Sequence, residues 1–171
     1  PRLERVAQGR DKTFPVDAVD EDVVAFVHKY GAEARRIELR GCTGVTDVGV
    51  IQVAEACPHL TTLRLHDTQT TDVGVIKVAE ACPHLTMLGL DGTGAKLGPE
   101  AAHALGAVEV KALDFPLVLN FTPEGRAAFK KALAANGVLE SVRISTTALD
   151  GACEDKWSAD ASPFFADVQR L

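Results

Sequence analysis

The sequence predicts a short α/β solenoid of about five strand–turn–helix units, with a parallel sheet lining its concave side. Three observations lead there. Residues 45–63, VTDVGVIQVAEACPHLTTL, return at 70–88 as TTDVGVIKVAEACPHLTML, an offset of 25 residues in which three of nineteen positions differ. Inside each copy the apolar spacing changes from a helical to a strand period. Weaker copies flank the pair on both sides.

In the first strong copy Val50, Val53, Ala54 and Cys57 follow i, i+3, i+4, i+7 spacing, which is one face of a helix. The second copy repeats it with Val75, Val78, Ala79 and Cys82. Thr46 and Thr71 stand where an N-cap hydroxyl accepts from orphan amides. Pro58 and Pro83 end the helices, because proline disfavours the helical conformation in the residue before it. Leu60-x-x-Leu63-x-Leu65 and Leu85-x-x-Leu88-x-Leu90 then supply a short strand in each copy. Further strands are expected at Ile37/Leu39, Leu113/Phe115 and Val142/Ile144. Helices are expected near 20–30 (Val24, Val27), 99–106 and 123–135 (Ala127, Phe129, Leu133), with Gly31 and Gly137 ending theirs. No such unit buries its apolar face alone, so stability comes from stacking.

Composition sets the function classes. The chain has 171 residues, nearly half apolar and a quarter charged, which suits one soluble domain. Its net charge of −6 works against a nucleic-acid partner, whose affinity comes from contacts to phosphates. No apolar run reaches the roughly 20 residues that span a bilayer, and the first residues, PRLERVAQGR, lack a signal's apolar core. Because numbering starts at Pro1, an upstream domain or cleaved targeting peptide stays open. Of four cysteines, Cys42, Cys57, Cys82 and Cys153, two recur at one repeat position, which indicates packing and a reducing intracellular compartment, the cytoplasm first, with organelle import left open.

These units resemble leucine-rich repeats of the cysteine-containing subtype, as found in the substrate-binding region of F-box proteins. That pattern, L-x-L-x-x-C-x-x-(V/I)-T-D-x-G followed by an apolar residue and then A-x-x-C-P-x-L, is met by Leu39, Cys42, Val45, Thr46, Asp47, Gly49, Val53, Ala54, Cys57, Pro58 and Leu60. The match is specific over 34–93 and weaker across 20–145; Thr68 and Thr93 stand in place of the first cysteine, and Val118 also departs from the pattern. The resemblance implies a short right-handed leucine-rich-repeat solenoid. Its extent is expected at 17–145, between an N-terminal cap at 1–16 (Leu3, Val6, Phe14, Val16) and a C-terminal tail at 146–171. No segment here reads as an F-box, so the fold carries across and the ubiquitin-ligase role does not.

Alternation along the strands names the residues of the concave face. They are Arg36, Glu38 and Arg40; Thr62, Arg64 and His66; Met87, Gly89 and Asp91; Ala112, Asp114 and Pro116; and Ser141, Arg143 and Ser145. With strands about 4.8 Å apart, Glu38 faces Arg64, and Arg40, His66 and Asp91 form a row. Either this is a docking face for a protein, through Arg36, Glu38, Arg40, Arg64, His66, Met87, Asp91, Asp114 and Arg143, or it is a solvated sheet face. In the tail, Ser162 and Pro163 read as a helix start, and Trp157, Phe164 and Phe165 either pack on the last unit or form a second docking point.

Other chemistry finds no support. Cys57-Pro58-His59 and Cys82-Pro83-His84 hold zinc-type ligands, but the cysteines complete the apolar stripe while the histidines fall beyond the proline. A Cys57–Cys82 disulfide is disfavoured, since packed helices lie about 8–10 Å apart. Gly92-Thr93-Gly94-Ala95-Lys96-Leu97-Gly98 has the context of a phosphate loop without its glycine spacing. No nucleophile pairs with a His and a carboxylate in a recognised order. The expectation is a non-catalytic interaction module with no cofactor, metal or small-molecule substrate, binding another protein within a complex through its concave face. The alternatives are a structural subunit of a larger assembly and the substrate-recognition part of an F-box-type ubiquitin ligase.

Overall fold

The computed structural model describes residues 10–108, 112–114, 122–136 and 143–145. Strands and helices alternate along the chain: β1 (Asp11–Thr13), α1 (Asp20–Tyr30), β2 (Arg36–Glu38), α2 (Asp47–Ala56), β3 (Thr62–Arg64), α3 (Asp72–Ala81), β4 (Met87–Gly89), α4 (Pro99–Ala107), β5 (Ala112–Asp114), α5 (Pro123–Asn136) and β6 (Arg143–Ser145). Among the described residues six strands form one parallel sheet in sequence order, as expected of a short leucine-rich-repeat-like solenoid.

The core repeats with the sequence. Ile37, Leu63 and Leu88 are register partners across β2, β3 and β4, and all three are buried. Leu39, Leu65 and Leu90 form a second buried row, and Leu60 and Leu85 a third. The helix stripes Val50/Val53/Ala54/Cys57 and Val75/Val78/Ala79/Cys82 close on it from the other side. A fully buried leucine contributes about 1.5–3 kcal/mol, so these rows are the main stabilising layer. Where Cys42 has its thiol, Thr68 and Thr93 place a hydroxyl that donates to the carbonyl three residues back, at Leu65 and Leu90, each at 2.8 Å.

Several expectations change. The sheet has a sixth strand, β1, inside the 1–16 segment: its Asp-Lys-Thr sequence has no apolar alternation, and backbone bonds hold it (Phe14 N–H to Glu38 O 2.9 Å, Arg35 N–H to Arg10 O 2.7 Å). Phe14 is buried against Phe26, edge to face at 5.6 Å, but Val16 is 69% exposed and no part of the core. In α1 the buried face is Val23, Phe26 and Val27, with Val24 half-buried. In α5 Ala127 is exposed while Gly125, Phe129 and Ala132 turn inward. Gly31 keeps a right-handed conformation (φ −54°) and leads into a 3-10 turn. A side chain at Gly31 would meet the Ala56 carbonyl at 2.7 Å, so glycine stands there for a close approach and not as a left-handed stop. Leu3, Val6, Phe115, Val118, Gly137 and Val142 lie outside the described residues.

The units are also joined by a ladder of aspartates. Thr46 and Thr71 cap α2 and α3 as expected, accepting from the Val48 and Val73 amides at 3.2 and 3.3 Å. Each cap is in turn gripped by the aspartate that opens the helix before it. The Asp20 carboxylate accepts from the Thr46 amide (2.9 Å), the Thr46 hydroxyl (2.6 Å) and the Gly49 amide (3.0 Å). Asp47 does the same for the Thr71 amide (2.8 Å), the Thr71 hydroxyl (2.5 Å) and the Gly74 amide (3.1 Å). A Cβ at Gly49 or Gly74 would sit 2.5 Å from the carboxylate, which is why the third helical position is glycine in both units. At α4 that position is Ala101 and the cap is Gly98, with no hydroxyl; among the described residues Asp72 has no hydrogen-bond partner.

Candidate protein-binding face

The strands are three residues long, but their bonding continues past the ends through Leu39 N–H to Arg64 O, Gly41 N–H to His66 O and Asp67 N–H to Asp91 O, each 2.8 Å. This continuation brings Arg40, His66 and Asp91 into one row across three units, as their spacing predicts. The turns that follow need a left-handed residue: Gly41 (φ 77°), Asp67 (φ 57°) and Gly92 (φ 69°) occupy equivalent places. Glycine takes this conformation without penalty and aspartate tolerates it.

Register sets the rest of the face. Arg36, Thr62, Met87, Ala112 and Arg143 form one row, and Glu38, Arg64 and Gly89 another. Glu38 and Arg64 pair at 3.3 Å, as opposite neighbours in a sheet should. The Arg64 guanidinium also lies 3.6 Å from the Met87 sulfur, and its Nε is buried with no acceptor. Gly89, beside it, has no side chain to compete for that space. Both charged side chains are partly exposed (39% and 24%), so the pair adds about 1 kcal/mol or less to stability. Arg36, Arg40 and Asp91 are exposed, His66 and Met87 half-buried. Thr62, expected on the surface, is 8% exposed, closed in between its row neighbours Arg36 and Met87.

Asp114 and Arg143 occupy their strands at register positions opposite Ser145 and Ala112. Trp157, Phe164, Phe165 and Cys153 lie outside the described residues. The expected face therefore assembles over β2–β4, and the tail contributes nothing that the structure describes.

The thiols are structural. Burial pushes Cys57 up to about 12, helped by the neighbouring Cys82, and pushes Cys82 up to about 11. Burial also raises Cys42, with the Asp17 charge adding to it, and its thiol donates to the Pro15 carbonyl at 3.2 Å. Cys57 and Cys82 are free, the Cys82 sulfur resting 3.7 Å from the Cys57 carbonyl. His59 and His84 are exposed and stacked on each other, ring centres 6.0 Å apart, while those thiols are buried.

Sequence reading missed the aspartate ladder. Its signal is an aspartate at the first helical position in three successive units, Asp20, Asp47 and Asp72, with glycine two residues on in the second and third.

This architecture is found among solved structures. The chain is similar to one described as "Leiomodin-1 Actin-Binding Site 2 (ABS2)". The likeness covers 79% of this chain and 87% of that one, with a TM-score of 0.58 at 18% identity. It shares that protein's fold. No family model and no curated protein matches the sequence.

Proposed function

We propose that this chain is a non-catalytic interaction module that binds a partner protein through the concave strand face, as part of a complex. The observation that carries the reading is the state of β2. Arg36 and Arg40 are exposed and without an ion pair among the described residues, while Arg64 on the next strand, beside Thr62 and Gly89, is already oriented by Glu38. Pre-positioned arginine beside a low-relief floor is the composition of an interface anchor. The solved structure of similar fold is itself named for binding a protein, actin, which supports a protein partner as a class.

The finer reading, a cysteine-containing leucine-rich repeat serving substrate recognition beside an F-box, rests on the Thr-Asp-x-Gly and Cys-Pro-x-Leu motifs. A permanent structural subunit is the other alternative, and exposed valines at the helix starts favour it. Buried, protonated thiols support a reducing compartment.

The test is affinity capture with the intact chain beside an Arg36→Glu/Arg40→Glu/Arg64→Ala variant, read by mass spectrometry. Alanine is used at position 64 because glutamate there would face Glu38. The expected result is a partner held by the parent and lost by a variant with an unchanged circular dichroism spectrum. Equal capture by both would refute the concave-face reading.

A further inference from the structure

Every large apolar side chain that is exposed among the described residues lies on one edge of the solenoid. They are Val16 (69%), Val19 (39%), Val48 (62%) and Val73 (53%), all in or just after the strand-to-helix turns. Val16 and Val19 lean toward the next unit's turn, close enough that a Cβ at Gly41 or Gly44 would meet them at 3.2 and 2.7 Å. With α1 packed on α2 and α2 on α3, the four form a strip across three units.

The second helical position shows that this strip is not what helix physics selects. Glu21 in α1, Glu100 in α4 and Glu124 in α5 place a carboxylate there, which favours the positive end of the helix dipole. α2 and α3 carry Val48 and Val73 instead. Each valine forfeits that interaction, has a lower helix propensity than glutamate, and buries little in return. The chain thus keeps two unfavourable residues side by side, which is the mark of surface reserved for an apolar partner. Charge around the strip sets the partner's polarity: exposed Asp17, Glu21 and Asp67 and half-buried, unbonded Asp72 outnumber Arg40 and Lys96 on these turns.

We infer that the helix-start edge is a second docking surface, separate from the concave face, for a segment with apolar residues flanked by lysine or arginine. Packed helices stand about 8–10 Å apart, which is the advance of about five to seven residues along a helix. An amphipathic helix with an apolar residue every two turns matches the valine spacing.

The probe is a fluorescein-labelled amphipathic helix with a leucine stripe and lysines elsewhere, beside a twin in which every lysine is glutamate, both followed by anisotropy. The lysine peptide should bind the parent saturably, and the glutamate twin at least about tenfold more weakly. Val48→Glu/Val73→Glu should weaken binding by about tenfold or more. That variant should melt at or above the parent temperature, because it restores the carboxylates that the other helices have. Arg36→Ala/Arg40→Ala should bind the peptide as the parent does. Absence of binding, equal binding of both peptides, or full binding by the valine variant would overturn the inference. Loss confined to the arginine variant would overturn it too, and would leave the concave face as the docking surface.

Discussion

Replacing Asp47 with alanine removes one rung between two units without touching the core. Three donors lose their acceptor: the Thr71 amide, the Thr71 hydroxyl and the Gly74 amide. A hydrogen bond to a charged group contributes about 1.5–3 kcal/mol, but this carboxylate is half-buried and water recovers part of the loss, so the expected cost is about 3 kcal/mol. For a chain of this size that lowers the melting temperature by about 6–12 °C. Gly74→Ala attacks the same rung from the other side, since its Cβ would lie 2.5 Å from an Asp47 oxygen, 3.0 Å from Thr70 and 3.3 Å from Val50. Displacing the carboxylate should cost about 2 kcal/mol in the parent. In the Asp47→Ala background the hardest contact is gone, and alanine regains about 1 kcal/mol of helix propensity. The second substitution should then be close to neutral, a coupling of about 2 kcal/mol. Urea unfolding of the four proteins, at constant m-value, measures it. Additive costs to within about 0.5 kcal/mol, or a loss under about 1 kcal/mol for Asp47→Ala, would refute the ladder as a stabilising device.

The buried thiols make stability fall in alkali. Cys57 and Cys82 sit in the fold at about 12 and 11 against an ordinary 9.0, so their contribution is whole below pH 9 and drains away as pH rises through the folded values. The loss should reach about 1 kcal/mol per thiol near pH 10. A Cys57→Ala/Cys82→Ala variant should show a flatter urea-midpoint profile above pH 9; parallel profiles would count against thiol burial as the cause. At the left-handed turns, Asp67→Gly should stabilise by about 1 kcal/mol, because glycine takes that φ without strain. Gly92→Ala should cost at least as much, its Cβ being driven into the Asp67 carboxylate, and the same urea titration reads both.

How far the sequence could be read followed the range of the interactions. The two near-identical units were legible because leucine and valine periodicity is local, and the helix caps at Thr46 and Thr71 because a cap spans a few residues. The Glu38–Arg64 pair was legible one step further on, since a 25-residue repeat sets strand register almost by itself. β1 was not: an edge strand of Asp-Lys-Thr is held by its backbone, and side-chain pattern says nothing of that. The apolar pattern points Val24 and Ala127 inward where Val23 and Phe26, and Gly125 and Ala132, are turned in, because weak copies leave the rotation of a helix underdetermined. The ladder is less plain because each carboxylate serves groups some 24–29 residues later, and an aspartate that opens a helix already has a local reason to be there.

The way the ladder ends also says how this protein could grow. A unit that opens with Thr-Asp-x-Gly takes a carboxylate from the unit below and offers one to the unit above, so it is a complete coupling with a socket and a plug. Among the described residues Asp72 is a plug with no socket, because at α4 Ala101 has a Cβ where glycine stood and Gly98 has no hydroxyl. The near identity of the two central units is what such a coupling permits: a duplicated unit docks onto its parent with no change to either. A further copy set after the second would accept Asp72 and expose an aspartate of its own. The reach of this ladder is therefore set at α4, where the coupling is closed off, while the stacking of β5, α5 and β6 beyond it goes on without aspartate rungs.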